Sequence, residues 1–403
     1  MKRGYLSEYF TGVTAKRLSS VEVNPEKSHQ HEFNGDEQLK TLFGSVRGVK
    51  KVNFPAIFMY FGEDTDRNIT EKGNVTWYDA RAKSHTRTGR SEYRLYFSDV
   101  HVERYAQKGD LLIVARRANG SVVVIVSERN STIEQQLIYL FQLQVTDKQF
   151  YLSDIINESD RQLDYVAKYT LAEIGVEVDD ANDSFLNDLL GEFHGYFPAT
   201  TIFSEYARNT LKNVDPIENP DLALMLYMDR EEVLFKTLEK YLVQKKLKTG
   251  FKLNVDDFIS YSLSVQNRRK MRSGMALENH LSHIFHANGI RFSSNKITEN
   301  NSRPDFIFPG IKEYRDPGFP KHNLTMLGAK TTCKDRWRQV LTEAKRITNK
   351  HLFTLEPGIS ENQTDEMKSN KLSLVVPESI KTTYNSRQQS WLINLKDFVG
   401  IVR

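Results

Sequence analysis

A single cysteine, Cys333, stands in a chain of 403 residues. That excludes an intramolecular disulfide framework and a cysteine-rich zinc site, and it fits a reducing compartment. No apolar run approaches the roughly 20 residues that a membrane span needs. The basic start Met1-Lys2-Arg3-Gly4-Tyr5 has no apolar stretch behind it to make a secretory signal. The expectation is a soluble, cytoplasmic protein. Internal repeats and low-complexity tracts are missing as well. Nor does overall charge select a partner, because a formal net of +4 is mild. Nucleic acid can be argued only from how the charge is distributed.

The length exceeds one ordinary core, so two domains are expected. Eighteen Tyr and 23 Phe supply large side chains to bury. Residues 52–61, 74–78, 93–97, 111–116 and 121–127 are short runs of β-branched and aromatic residues, separated by Gly, Asn and Asp as at Lys108-Gly109-Asp110 and Asn119-Gly120. That spacing suits a small all-β barrel or sandwich. Within it, residues 81–94 hold five Lys or Arg against one Glu, with Tyr78, Tyr93 and Tyr96 close by. Such a segment can lie along a phosphate backbone; a solvated loop is the plainer reading. Charge then reverses, with ten acids against Arg161 and Lys168 over residues 153–190. This stretch reads as an inter-domain linker with flanking helices.

From about residue 195 the pattern becomes helical, then alternates. Asn219-Pro220 starts a helix that runs to about Lys246. Leu277, Leu281, Ile284 and Phe285 repeat at helical spacing over 274–289, with Gly289 as the candidate cap. Strands follow at 306–308 and 324–331, then a helix over about 334–348, a strand at 351–355, a short helix near 363–368 and a strand at 372–376. Strands alternating with helices indicate an α/β sheet.

The chemistry concentrates near the end of the chain. Phosphodiester hydrolysis needs a metal to polarise the phosphate and activate water, and Mg²⁺ takes one or two carboxylates and fills the rest with water and phosphate. Arg303-Pro304-Asp305-Phe306 puts an acid on one strand, and Lys330 ends another strand 25 residues later. The usual metal-nuclease pattern has a second acid two residues before that lysine, where this chain has Gly328. Glu343, on the helix that follows, can supply the missing carboxylate if the helix packs on the sheet; the plainer alternative is a surface acid paired with Arg346. Lys334-Asp335-Arg336 has the donors and the acceptor to read base edges. Arg336 can take guanine N7 and O6, Asp335 can accept from cytosine N4, and Lys334 can reach guanine or phosphate.

The stretch RPDFIFPG…EYRDPGFP…LGAKTTCKDRWRQVLTEA…HLFTLEPG…LVVPES resembles the catalytic domain of EcoRII-type (type IIE) restriction endonucleases, over roughly 195–400 and most densely over 272–377. The resemblance implies a PD-(D/E)XK nuclease fold whose second acid has moved to the helix. It maps the catalytic set onto Asp305, Lys330 and Glu343, with Glu278 as an additional acid, the metal ligands onto Asp305 and Glu343, and the sequence-reading triplet onto Lys334, Asp335 and Arg336. The N-terminal motifs at 28–35, 77–81 and 90–94 resemble that family's B3-like pseudobarrel, an effector domain that binds DNA. His29, Arg90, Glu92 and Arg94 match its DNA-contacting positions, whereas Tyr93 stands for a family lysine and Asn34 for a tyrosine. The implied domains are 1–165, a linker at 166–194, and 195–403. Also implied are Mg²⁺, a CC-x-GG type of DNA site, a homodimer, autoinhibition relieved by a second DNA copy, and a protecting cytosine methyltransferase in the host. The rivals are a DNA-binding regulator with an inactive nuclease fold, which the missing acid at 328 motivates, and a structure-directed repair nuclease.

Other residues read more plainly. Trp337 shares helical spacing with Leu341 and Ala344, so core packing is expected. Cys333 has no His-Asp relay beside it to make it a nucleophile. His280, His283 and His286 read as surface histidines. Arg268, Arg269, Lys270 and Arg272 form a basic run open to DNA-backbone contact or to solvation alone.

Overall fold

The five β-branched and aromatic runs all form strands, and three further strands join them. The computed structural model describes residues 4–23, 31–46, 50–64, 68–82, 91–98, 100–145, 149–153, 162–333 and 336–403. It divides into two units, Met1–Val178 with Gly358–Ser360, and Asp179–Pro357 with Glu361–Arg403. The first unit is built on β1 (Phe10–Arg17), β2 (Glu32–Gly35), β3 (Lys51–Phe61), β4 (Ile69–Asp79), β5 (Tyr93–Phe97), β6 (Leu111–Arg117), β7 (Val122–Ser127) and β8 (Tyr151–Ser153). They form one sheet in the order β2-β5-β4-β3-β7-β6-β1-β8. Neighbours are antiparallel except for β3 and β7.

Strands β6 and β7 are almost continuous apolar runs because both of their faces are covered. On one face Leu111, Ile113 and Ile125 pack with α2 (Thr132–Phe141) and α3 (Tyr165–Glu173). On the other, Leu112, Val114 and Val124 share a cluster with Phe33, Leu95 and Phe97 from β2 and β5, and with Leu39, Leu42 and Phe43 of α1 (Glu37–Phe43). A flat sheet would keep β5 and β6 apart, so this shared core requires the sheet to curl. Much of 166–194, the stretch expected to link the domains, is packed rather than solvated. Ala167, Leu171, Ile174, Val176 and Val178 belong to the first unit's core, and Leu189 belongs to a helical cluster of the second. Acids in and beside this stretch are engaged locally. Asp164 caps α3 by accepting from the Ala167 N–H at 2.8 Å, while Asp179 and Asp180 pair with Lys240 and Lys236.

The second unit opens with α4 (Leu186–Phe193), α5 (Thr200–Asn209), α6 (Pro220–Thr249) and α7 (Val255–Ala287). Pro220 occupies the first turn of α6, where its missing N–H costs nothing. The helix expected over 274–289 is only the last part of α7, because the polar stretch before it contains no breaker and simply continues the helix. Leu277, Leu281, Ile284 and Phe285 are buried as their spacing requires, and Gly289 closes the helix at φ +69°. His280, expected at the surface, is fully buried. Its Nδ1 accepts from Arg208 at 3.1 Å, and its Nε2 lies 3.0 Å from the buried Glu231 carboxylate. Burial holds its pKa below the ordinary imidazole value. The same layer takes up most of the basic run: Arg272 pairs with Glu231 and Glu232, Arg269 with Glu239, and Arg268 lies over the Phe197 ring.

The second sheet comprises β9 (Ser293–Ser294), β10 (Phe306–Phe308), β11 (Thr325–Lys330), β12 (Lys350–Thr354) and β13 (Leu372–Val375), in the order β13-β12-β11-β10-β9. The pairs β9·β10 and β10·β11 are antiparallel; β11, β12 and β13 are parallel. Between these strands lie α8 (Ile311–Arg315), α9 (Trp337–Thr342) and α10 (Glu361–Ser369), and the chain ends with α11 (Glu378–Lys381), α12 (Ser386–Gln389) and α13 (Leu395–Val402). Among the described residues no helix is long and apolar enough to cross a membrane.

His351, on the interior strand β12, packs edge-on against Phe398, and its Nδ1 has no hydrogen-bond partner among the described residues. Burial depresses its pKa to about 4. An unfolded chain takes up that proton near pH 6.5, so between about pH 6.5 and 4 the unfolded state binds more protons and folding stability falls as pH falls. The depression corresponds to about 3 kcal/mol. His351→Phe is therefore expected to flatten the acid limb of stability over that window. Urea denaturation at stepped pH checks this, and an unchanged slope counts against it.

Candidate active site

Asp305 immediately precedes β10, and Lys330 is the last residue of β11. Antiparallel pairing of Phe306 with Leu327 brings the two ends together. The Lys330 ammonium donates to Asp305 Oδ2 at 2.8 Å, and the Ala329 N–H donates to the same oxygen at 2.7 Å. Asp305 is only 6% exposed. A buried carboxylate needs such donors, and these two leave its other oxygen for a further partner.

Gly328 is on the same face of β11 as Lys330, two residues away. A Cβ at that position would lie 3.0 Å from Val340 Cγ2 and 3.3 Å from Val340 Cγ1. Helix α9 thus occupies the space where a strand-borne acid would stand. The acid comes instead from the end of that helix. Glu343 is not within a helix running to 348, as expected. Helix α9 stops at Thr342, and Glu343 is its C-cap at φ −80°, ψ 153°. It makes no pair with Arg346, whose guanidinium donates to the carbonyls of Glu313, Tyr314 and Phe319.

Glu343 nevertheless feels the site. Burial raises its carboxyl above the ordinary range, the Asp305 carboxylate adds to that rise, and Lys330 and Lys350 oppose it. Glu343 Oε2 is buried with no hydrogen-bond partner among the described residues. Glu278, on α7, is the third acid. Burial raises its pKa, Asn295 opposes by donating to Oε2 at 3.0 Å, and Asp305 adds to the rise. Among the described residues no three His, Cys, Asp or Glu side chains form a ready-made metal cage. A hard divalent cation held by a pair of carboxylates, with water or phosphate completing its shell, does not need one. The orphaned Glu343 oxygen, facing the field of a second carboxylate, fits such an ion.

Lys334 and Asp335 lie outside the described residues. Arg336 is exposed and folds back on its own loop, donating to the Thr332 carbonyl at 2.9 Å. Cys333 is fully buried, and burial pushes its thiol well above the usual range; its N–H donates to the buried Glu356 carboxylate. Trp337 is fully buried, in keeping with core packing. Sequence reading missed three residues here: Asn295, Glu356 and Lys350. Nothing in their local pattern distinguishes them.

In the first unit, His29 and Arg90 lie outside the described residues. Arg94 on β5 sits opposite Asn34 of β2, and its guanidinium donates to Asn34 and to Glu92. Tyr93 points the other way, into the core, stacked on Trp77 at 5.1 Å. Period-two alternation separates it from its neighbours Glu92 and Arg94.

The family model described as EcoRII C terminal matches residues 235–399. The type II restriction enzyme EcoRII of Escherichia coli is 31% identical over 397 residues, which is 96% of this chain and 93% of that protein. The chain belongs to the EcoRII family. As a member it is a type II restriction endonuclease, a DNA-binding, site-specific deoxyribonuclease. The type II restriction enzyme SsoII of Shigella sonnei is 26% identical over 167 residues, 38% of this chain and 52% of that protein. Among solved structures, metal-depleted Ecl18kI in complex with uncleaved DNA has a TM-score of 0.44 at 20% identity, over 55% of this chain and 83% of that one. The complex of restriction endonuclease PspGI with substrate DNA has 0.44 at 15% identity, over 51% and 92%. EcoRII-family membership also implies a divalent metal cofactor, in keeping with the carboxylates gathered around Asp305.

Proposed function

We propose that this enzyme makes Mg²⁺-dependent double-strand cuts at a short CC-x-GG type of DNA site, using a PD-(D/E)XK catalytic unit whose second acid is Glu343. The observation that carries this reading is the Asp305–Lys330 pair with the unpartnered Glu343 oxygen beside it. Asp305 and Glu343 hold the metal. Bound there, Mg²⁺ supplies Lewis-acid polarisation of the phosphate and an acidified water. Lys330 stabilises charge building on the phosphoryl oxygens, and the Ala329 N–H fixes the Asp305 carboxylate that orients it. Glu278, steadied by Asn295, positions water.

Specificity is assigned to Lys334, Asp335 and Arg336, whose donors and acceptor match the edges of C·G pairs. A pseudo-palindromic site calls for a symmetric dimer with one active site per strand, with the central pair unstacked or flipped. The first unit, read as a B3-like pseudobarrel, binds a second DNA copy through His29, Arg90, Glu92 and Arg94. That binding shifts the population from an inhibited to an open form. Tyr93 makes no contact in this scheme, because its side chain belongs to the core. A cytosine methyltransferase protects the host's own sites.

Plasmid incubated with Mg²⁺ should yield a discrete fragment ladder, and sequencing the fragment ends reads out the site. Smeared, sequence-independent products count against the assignment. Autoinhibition has its own test. Removing residues 1–178 leaves Asp179 and Asp180 in place against α6, and the truncated chain should cut a single-site DNA without a second copy. A dependence on the second site that survives truncation refutes autoinhibition.

A further inference from the structure

The turn that carries Glu343 has no glycine and no regular element to define it. Glu343 is extended, and Ala344 follows at φ +42°, a left-handed conformation that residues with a Cβ disfavour. Both helix α9 before it and the helix-forming composition of Lys345-Arg346 after it would pull the chain elsewhere. Something must hold the turn open. The Ile347 N–H donates to the Ala344 carbonyl at 2.8 Å, and Arg346 ties the following stretch to the carbonyls of Tyr314 and Phe319. Neither reaches the main chain of Glu343.

Lys350 does. It is the first residue of β12 and is 6% exposed. Its ammonium turns back to the helix end and donates to the Glu343 carbonyl and, at 3.4 Å, to the Ala344 carbonyl. Among the described residues the ammonium's side-chain hydrogen bonds go to these two main-chain oxygens. Lysine is seldom buried so fully, and an ammonium taken out of water is costly unless its donors are used. An apolar side chain would fill the same space at the start of a strand without that cost. The position is therefore better explained by what the ammonium holds than by packing.

We propose that Lys350 is a positioning residue for cleavage: its ammonium pins the main chain at Glu343, so that the carboxylate stands over Asp305 and Lys330. The inference rests on the reading of Glu343 as a metal ligand. Lys350 touches neither metal nor DNA; it acts through Glu343. A carboxylate free to swing away from its partner acid holds a divalent ion less well, so metal affinity is the quantity that should move.

Mn²⁺ titrated into the full-length chain and followed by electron paramagnetic resonance tests this. Lys350→Met, which keeps an unbranched apolar stem and loses the donors, is expected to bind Mn²⁺ about tenfold more weakly. Lys350→Arg, which keeps donors, should return affinity to within about threefold of the unaltered chain. In a Glu343→Gln background, Lys350→Met should cost nothing further. Unchanged Mn²⁺ affinity in Lys350→Met overturns the inference, as does an equal loss with and without Glu343. If Lys350→Met does not fold, Lys350→Gln, one atom too short to reach both carbonyls, takes its place with the same expectation of weaker binding. Glu343→Gln alone separates the levels. Unaltered Mn²⁺ binding there removes the metal-ligand reading itself, whereas a loss there without a loss in Lys350→Met removes only the role of Lys350.

Discussion

Lys330→Ala is expected to slow cleavage about a thousandfold while leaving metal-free DNA binding intact. That factor corresponds to about 4 kcal/mol of transition-state stabilisation. The reason lies in the pairing at the strand ends. The Lys330 ammonium is held 2.8 Å from Asp305 Oδ2, beside the carboxylate proposed to hold the metal. A preoriented cation stabilises charge building on a phosphoryl oxygen without reorganising as the reaction proceeds. The Asp305 carboxylate keeps its second donor from Ala329 in the variant, so the fold around it should survive. Single-turnover cleavage of a site-bearing duplex measures the rate, and a mobility shift without metal measures binding. A variant that cuts within tenfold of the unaltered enzyme would show that Lys330 does not serve the chemistry.

Returning the second acid to its ordinary place on the strand should fail. Gly328→Asp is expected to destabilise the second unit by about 3 kcal/mol, and Gly328→Asp combined with Glu343→Gln is expected to stay inactive. The Cβ alone would press to 3.0 Å from Val340, and overpacking of that kind costs about 1–3 kcal/mol. A carboxylate pushed into the same apolar contact adds a desolvation cost of similar size. Denaturant unfolding of the single variant and cleavage by the double variant check the two halves. Recovery of activity in the double variant would mean that α9 can give way, and that Glu343 is a substitute rather than a necessity.

These expectations draw unequally on sequence and structure. Asp305 and Lys330 were legible because a Pro-Asp at a strand start and a lysine ending a strand are local signals. The five runs of the first sheet were legible for the same reason, since alternation and β-branching act residue by residue. Trp337 and the buried face of α7 follow from helical spacing. Where reading failed, a distant contact overruled a local preference. His280 shares its spacing with surface histidines, yet Glu231 and Arg208 come from two other helices to meet it. The stretch from Glu343 to Thr348 has good helix formers, yet Lys350 and Arg346 hold it out of a helix. The start of α7 was missed for the opposite reason: it buries little, so no apolar period marks it.

The sequence by itself determined which residue types could do this chemistry, in what order they come, and which family they belong to, because side-chain identity and periodicity are properties of short stretches. Only the tertiary structure showed why the strand position has no room for an acid. Val340 closes the strand position against a side chain, and α9 ends so that Glu343 is half-buried within the field of Asp305. Exclusion and proximity of that kind arise between segments, where no local pattern records them.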